Sequence, residues 1–265
     1  VVSSEYVARV KGVEEAKIDY MLHQGTKEFD SLEGLNFNIK TKTKDVECHT
    51  NLIMPFNALN ITLAYAILDS LGEMEDSKFN QLLEEIKIPG RDEVIRYNGR
   101  TIIITITCTP HLEIIKRYKE KGKVKNIRLV TGSFGKGFNS WLEEYKEEKF
   151  TKYVEESMRW AYSYFVKNVD QIYITTNDNA YSNITELLGK QKKEVEGKTT
   201  YFLIEDRKEA IKKAIEDSER NDVIIISGRG NRSIFCKDRR NVEIYLDRSI
   251  VEEEIIKKKE EDNAN

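Results

Sequence analysis

Cysteine and proline are both scarce, with three of each in 265 residues. Cys48, Cys108 and Cys236 show no close pairing, which argues against a disulfide framework or a zinc site and fits a reducing compartment. No run approaches the roughly 20 apolar residues that a membrane helix needs. The first residues, Val1-Val2-Ser3-Ser4-Glu5-Tyr6, lack the basic stretch leading into an apolar segment that marks a signal peptide. A cytoplasmic location is therefore expected, without a membrane span. An excess of one charge is lacking too: 43 Lys and Arg stand against 46 Asp and Glu, for a net charge of -3. The lysines are interleaved with glutamates, whereas a nucleic-acid footprint needs clustered positive charge, so no nucleic-acid partner is expected. The chain also has no initial Met and opens on what reads as the end of a strand, so a fragment is expected.

What is present is a soluble globular composition, 39% hydrophobic and 34% charged, at a length that suits one large or two ordinary domains. Early signals are mixed: Glu5 to Val10 and Glu14 to Ala16 read as helix or loop, and Tyr20 to His23 as a strand. Phe37 to Thr41 and Val46 to Ile53 alternate apolar and polar residues about a Thr43-Lys44-Asp45 turn, the pattern of a hairpin with one wet face. Pro55 to Leu71 is a helix closed by Gly72, and Asp76 to Ile86 a second that ends before Pro89-Gly90. Val94 to Tyr97 and Thr101 to Thr107 flank Asn98-Gly99, a strong hairpin signal. Beyond Thr107 the rhythm changes to alternating strand and helix: helix 110–121, strand 127–131, a glycine loop at 132–137, helices across 139–166, strand 171–175, helix 183–190, strand 200–204, helix 207–219, strand 223–226 and helix 247–259. That alternation predicts an α/β fold with a mainly parallel, doubly wound sheet. A domain boundary is placed near residue 108, separating 1–107 from 108–265.

Candidate chemistry gathers where loops follow strands. Asp206 can cap the helix after the 200–204 strand, with Glu209 three residues on. The β-branched run Val223 to Ile226 reads as a strand covered on both faces, and Gly228-Arg229-Gly230 follows at its carboxyl end, where open α/β sheets hold ligands. Asp178-Asn179 occupies the same place after the Ile172 to Thr175 strand, although Asn-Asp-Asn is also good loop chemistry. Gly132 to Gly137, carrying Lys136, lies between a strand and a helix, the context of an anion-binding loop, without being a phosphate-loop sequence. Asn57 and Asn60, three apart on a helix start, offer amides that can read an adenine edge, with capping and surface polarity as the competing reading. Arg91, after Pro89-Gly90, is placed to meet a phosphate or to lie as a surface turn residue. Cys108 and His111 are close in sequence, but no aspartate or second histidine marks a nucleophilic set around them. Trp141, Trp160, Tyr162, Tyr164 and Phe165 are spaced as helix packing, for core or interface.

The order of these signals is more specific than any one of them. Phe56-Asn57-Ala58-Leu59-Asn60 resembles the F-N-x-x-N helix start of the Mur ligases, and Ile88-Pro89-Gly90-Arg91-Asp92-Glu93 their V-P-G-R-x-E segment. Thr109-Pro110 stands where the family's D-Y-A-H-T-P ends, and Thr176-Asn177-Asp178-Asn179 resembles T-x-D-N. Asp206 to Ile211 resembles the D-R-x-x-A-I helix start, Gly228 to Asn231 the G-K-G-H-E loop and Asp247-Arg248 the closing S-D-R. The branch most similar is the UDP-N-acetylmuramoyl-tripeptide synthetase type, and the resemblance runs from about residue 35 to the end. It implies the later part of an ATP-binding central domain, truncated ahead of its phosphate loop, followed by a Rossmann-like C-terminal domain.

The resemblance implies an ATP-dependent peptide ligase of peptidoglycan precursor synthesis, in which a carboxylate is phosphorylated and an amine attacks the acyl phosphate. By position, Asn60 contacts adenine with Asn57 supporting it, and Arg91 approaches the ATP phosphates or ribose. Lys136, Asp178, Asn179, Gly228, Arg229, Gly230, Asn231 and Arg232 line the substrate side. The implied partners are a small-molecule amino acid, a UDP-linked or other carboxylate acceptor, and the missing N-terminal half. ATP and Mg2+ belong to an intact parent, because the phosphate loop, magnesium ligands and modified lysine are expected upstream of residue 1. This chain alone is expected to be inactive. Two departures bear on the site: Thr105 to Pro110 lacks the family's aspartate and histidine, and Arg232 replaces a glutamate. An arginine there repels a distal ammonium, which argues against diaminopimelate or lysine in the usual pose. The alternatives are a non-catalytic binding or scaffold protein on the same fold, and a related ligase outside cell-wall synthesis.

Overall fold

The computed structural model describes residues 21–24, 30–73, 75–133, 147–178, 182–237 and 240–264, and the chain divides into two compact units, Val1–Ile88 and Pro89–Asn265. In the first, β1 (Met21–Gln24), β2 (Asp30–Ser31), β3 (Gly34–Lys40) and β4 (Asp45–Thr50) form an antiparallel sheet in which β3 pairs with each of the others. Val46, Cys48 and Thr50 alternate inward along β4, as the two-residue period of a strand demands. They meet Leu35, Phe37 and Ile39 of β3 in a core that α1 (Phe56–Ser70) and α2 (Asp76–Glu85) close with Ala58, Ile61, Tyr65, Phe79 and Leu83. On α1 the apolar residues fall on two faces: Leu63 and Ile67 are exposed.

The second unit is built on six strands in the order β5-β6-β10-β7-β8-β9: β5 (Glu93–Tyr97), β6 (Arg100–Thr105), β7 (Ile127–Thr131), β8 (Gln171–Ile174), β9 (Thr200–Leu203) and β10 (Val223–Ser227). Only β5 is antiparallel. Helices α3 (Thr109–Glu120), α4 (Glu147–Asn168), α5 (Ile184–Val195), α6 (Arg207–Glu216) and α7 (Asp247–Ala264) accompany it, with a short ribbon of β11 (Ile234–Cys236) and β12 (Val242–Ile244). Every residue of β10 is buried. Ile224 and Ile226 pack with Ala210, Ile211 and Ala214 of α6 and Val251 of α7, while Ile225, on the opposite pleat, is equally buried. A strand covered on both faces has no polar side, which is why this segment reads as an unbroken apolar run.

The unit boundary falls before Pro89, not near residue 108. The Asn98-Gly99 hairpin, counted with the first domain from its sequence, pairs through β6 in parallel with β10, so it belongs to the second unit. Both turn residues have positive φ, 44° and 75°, as the twist of a two-residue hairpin turn requires. The segments 1–20 and 134–146 lie outside the described residues, and with them the early helix readings, most of the 132–137 loop and Trp141.

Candidate functional site at the carboxyl edge of the parallel sheet

The chain passes from β6 to β7 and on to β9, then returns through α6 to place β10 between β6 and β7. That reversal opens a crevice at the carboxyl ends of the strands, and the loops after β8 and β10 meet there. After β8, Thr175 and Thr176 donate their hydroxyls to the Glu205 carbonyl at 3.1 and 3.0 Å. Asn177 donates Nδ2 to the Gly132 carbonyl at 3.3 Å and accepts from the Asp178 N–H at 3.2 Å. After β10, Gly228 turns at φ +113°, and a Cβ there would stand 2.4 Å from Asn177 Nδ2. Only glycine allows both the backbone conformation and the approach.

Arg229 is fully buried, its guanidinium held between the rings of Phe235 and Tyr245 at 4.7 and 4.8 Å. Its Nη2 donates to the carbonyls of Arg232 (2.8 Å) and Ile234 (3.3 Å). Its Nη1 lies 3.6 Å from Asp178 Oδ1 and its Nε 3.9 Å from Asp247 Oδ1. Asp247, at the start of α7, accepts a two-pronged pair from Arg207 at 3.0 and 2.8 Å; Arg207 also donates to the Ser227 carbonyl at 3.0 Å. Arg207 meets Asp247 with hydrogen-bonding geometry, whereas Arg229 faces its carboxylates at ion-pair distance, with Nε and Nη1 making no hydrogen bond. Asp178 accepts from the Cys236 N–H at 3.2 Å, and its other oxygen lies 3.8 Å from Arg232 Nη1. Arg232 is the partly exposed member, 35% by side chain. Burial, and then the neighbouring Arg229 charge, lower its pKa, against the opposing pull of Asp178. The result is a cationic head at the rim of an ion-paired framework.

The Arg91 turn packs against the same loop. Gly90 and Asp92 both have positive φ, 65° and 61°. A Cβ on Gly90 would lie 2.3 Å from Asn231 N, and one on Gly230 would lie 2.5 Å from the Gly90 carbonyl oxygen, so the two backbones touch. The Gly90 N–H donates to Glu93 Oε2 at 2.8 Å, and Arg248 Nη1 donates to Glu93 Oε1 at 2.6 Å. Asp92 accepts from the Thr105 hydroxyl at 2.9 Å and lies 2.9 Å from His111 Nε2, with both side chains buried. His111 thus has the aspartate neighbour that its sequence context does not show. Arg91 itself is exposed.

Beside this edge is a cavity of about 600 Å³ between strand-end residues, including Thr107, Gly132 and Gly228, and Met158, Tyr162 and Phe165 of α4. Cys108 also lines it, and burial pushes its thiol up to about 11, so it is no thiolate nucleophile at neutral pH. Of the helix aromatics, Tyr162 and Phe165 are buried, while Trp160 is exposed and stacked on Tyr164 at 6.2 Å.

In the first unit, neither asparagine caps α1, whose N-cap is Pro55. Asn57 is buried and accepts from Asn60 Nδ2 at 3.5 Å, while its own Nδ2 makes no hydrogen bond; Asn60 is exposed. Lys136 and Asn179 lie outside the described residues. Among the described residues no three His, Cys, Asp or Glu side chains gather to hold a metal ion, and no helix is long and apolar enough to cross a membrane.

No family model matches the sequence. The UDP-N-acetylmuramoyl-L-alanyl-D-glutamate–2,6-diaminopimelate ligase of Aquifex aeolicus is 29% identical over 202 residues, 75% of this chain and 38% of that protein. A solved structure of a ligase of the same name matches at a TM-score of 0.58 and 19% identity, covering 91% of this chain and 46% of that one. A MurF ligase from Thermotoga maritima, solved in complex with ADP, matches at 0.54 and 14%, covering 91% and 47%. The chain spans about two fifths of the length of the curated relatives it matches. By sequence and by fold the chain is similar to the Mur ligases over the part of them that it spans.

Proposed function

We propose that the chain is part of an ATP-dependent ligase that joins an amino acid to a carboxylate through an acyl phosphate, in peptidoglycan precursor synthesis. The observation that carries this reading is the convergence of the family-like segments at 91, 178, 207, 228–232 and 247 on one carboxyl edge of the second unit. In this reading Asp178 holds the incoming ammonium, and Arg232, with Asn231 and the Gly228 to Gly230 backbone, takes its carboxylate. Arg229, which is fully buried, acts by fixing Asp178 and the loop rather than by touching substrate. Arg232 disfavours a distal ammonium, so the amino acid is one without a second cationic end.

The residues of α1 fit a nucleotide: the unbonded, buried Asn57 Nδ2 is a donor for a base acceptor, and Asn60 stands beside it. Bound ATP supplies the phosphoryl group that activates the acyl carboxylate. Arg91, always charged and exposed, serves as the phosphate contact of the second unit. The described residues offer no ligand set for Mg2+, and no step is assigned to it. The protein's contribution is positioning and charge neutralisation.

A second reading, a binding protein that kept the fold without the chemistry, draws on Thr105, whose hydroxyl is committed to Asp92. The two part on one experiment with the intact protein: phosphate release from ATP over a panel of amino acids and carboxylate acceptors. Release that depends on one amino acid supports the ligase and sinks the binding protein, and no release with any pair does the reverse. An acceptor that is not UDP-linked would move the ligase outside cell-wall synthesis.

A further inference from the structure

Asp247 and Arg248 are adjacent at the start of α7, yet they serve different loops. Asp247 is gripped by Arg207 and lies beside Arg229, so it is anchored to the loop that follows β10. Arg248 reaches Glu93 and thereby the Gly90 N–H, so it is anchored to the turn that carries Arg91. A second connection runs in parallel: the Gly90 and Gly230 backbones touch without room for a Cβ on either. The turn is tied to α7 by an ion pair and touches the loop through its backbone, and α7 in turn lies beside Arg229 of that loop, so a shift of the turn disturbs the loop.

We propose that Glu93 and Arg248 are positioning residues that make the Arg91 turn and the Gly228 to Arg232 loop open and close as one body. The coupling stands on this geometry, while its use, aligning a phosphate contact with an amino-acid loop, rests on the ligase reading above. Glu93 is 7% exposed and accepts two hydrogen bonds, one of them from a guanidinium. A charge-assisted bond at a sheltered carboxylate is strong enough to govern local opening. Arg248 also pairs with Glu252 at 2.7 Å on its own helix.

The test is amide hydrogen exchange on the 265-residue chain. Arg248→Gln is expected to raise exchange about tenfold, the scale of one charge-assisted bond, in both 89–93 and 228–232. The amides of β6 and β10 should stay protected, and Arg248→Lys, which keeps the charge, should restore most of the loss. Glu93→Gln keeps the side-chain shape and should give the same paired response, which decides the matter if Arg248→Gln fails to fold. A rise confined to one of the two segments, or one that spreads equally to β10, overturns the coupling. Absence of amino-acid-dependent phosphate release would remove the ligase reading and leave the coupling to be decided by exchange alone.

Discussion

The start of α1 and the carboxyl edge of the second unit are both polar and sheltered, but they are built to opposite plans. At α1 a buried amide donor is left without a hydrogen bond. At the carboxyl edge Arg207, Arg229 and His111 also keep buried nitrogens without a hydrogen bond, but they lie beside carboxylates, and Asp178, Asp247, Asp92 and Glu93 each have a partner within the fold. The first arrangement costs stability until something supplies an acceptor; the second is organised by internal charge pairing, with Arg232 at its rim. In the proposed function a small neutral base edge meets the former and a zwitterionic amino acid the latter.

The largest effect that would break this contrast is expected at Asp247. Asp247→Asn leaves Arg207 and Arg229 buried beside a neutral amide and should cost the second unit about 3–5 kcal/mol, read as a lowered denaturant midpoint of that unit with the first unit's transition unmoved. A smaller effect of opposite sign is expected at α1. Asn57→Leu replaces the unbonded donor by an apolar group of similar size and should stabilise the first unit by about 1 kcal/mol, measured in the same unfolding experiment. If it destabilises instead, the amide is satisfied in solution and the contrast fails.

The smallest effect is electrostatic and confined to the first unit. Asp76 accepts from Lys44 Nζ at 2.5 Å and from the Tyr65 hydroxyl at 2.9 Å. The Lys44 bond, foremost, holds its carboxyl below the usual range. Because the folded pKa is depressed, this contribution is present above the unfolded value of about 4 and is lost as pH falls through the folded one. Melting of the first unit should therefore fall more steeply below pH 4 in the native chain than in Asp76→Asn. Equal slopes would remove the ion pair from the account.

Much of the second unit was readable because its signals are local. The Val223 to Ile226 run, the Asn98-Gly99 turn and the Asp206 cap, which accepts from the Lys208 and Glu209 N–H groups, each depend on a few neighbouring residues. What escaped was long-range. A hairpin pattern does not reveal which sheet its second strand joins, so β5 and β6 read from the sequence as part of the first unit. The Arg207–Asp247 and Glu93–Arg248 pairs link residues far apart in sequence, and only the fold brings them together. Asp92 meets His111 through a left-handed backbone that favours glycine, a conformation that its residue type does not announce. The β11–β12 ribbon is not announced by the sequence because its strands are only three residues long and expose Ile234, Val242 and Ile244. At α1 the spacing of Asn57 and Asn60 was visible, but not that one is buried and the other exposed.

Calorimetric titration of this chain with the amino acid that most increases phosphate release by the intact protein tests the central claim most directly. The account predicts binding that Asp178→Asn weakens at least about tenfold, the loss of one charge-assisted contact, and that Asn57→Leu leaves unchanged. Binding that survives Asp178→Asn intact, or falls equally with Asn57→Leu, would contradict an amino-acid site at the carboxyl edge of the second unit.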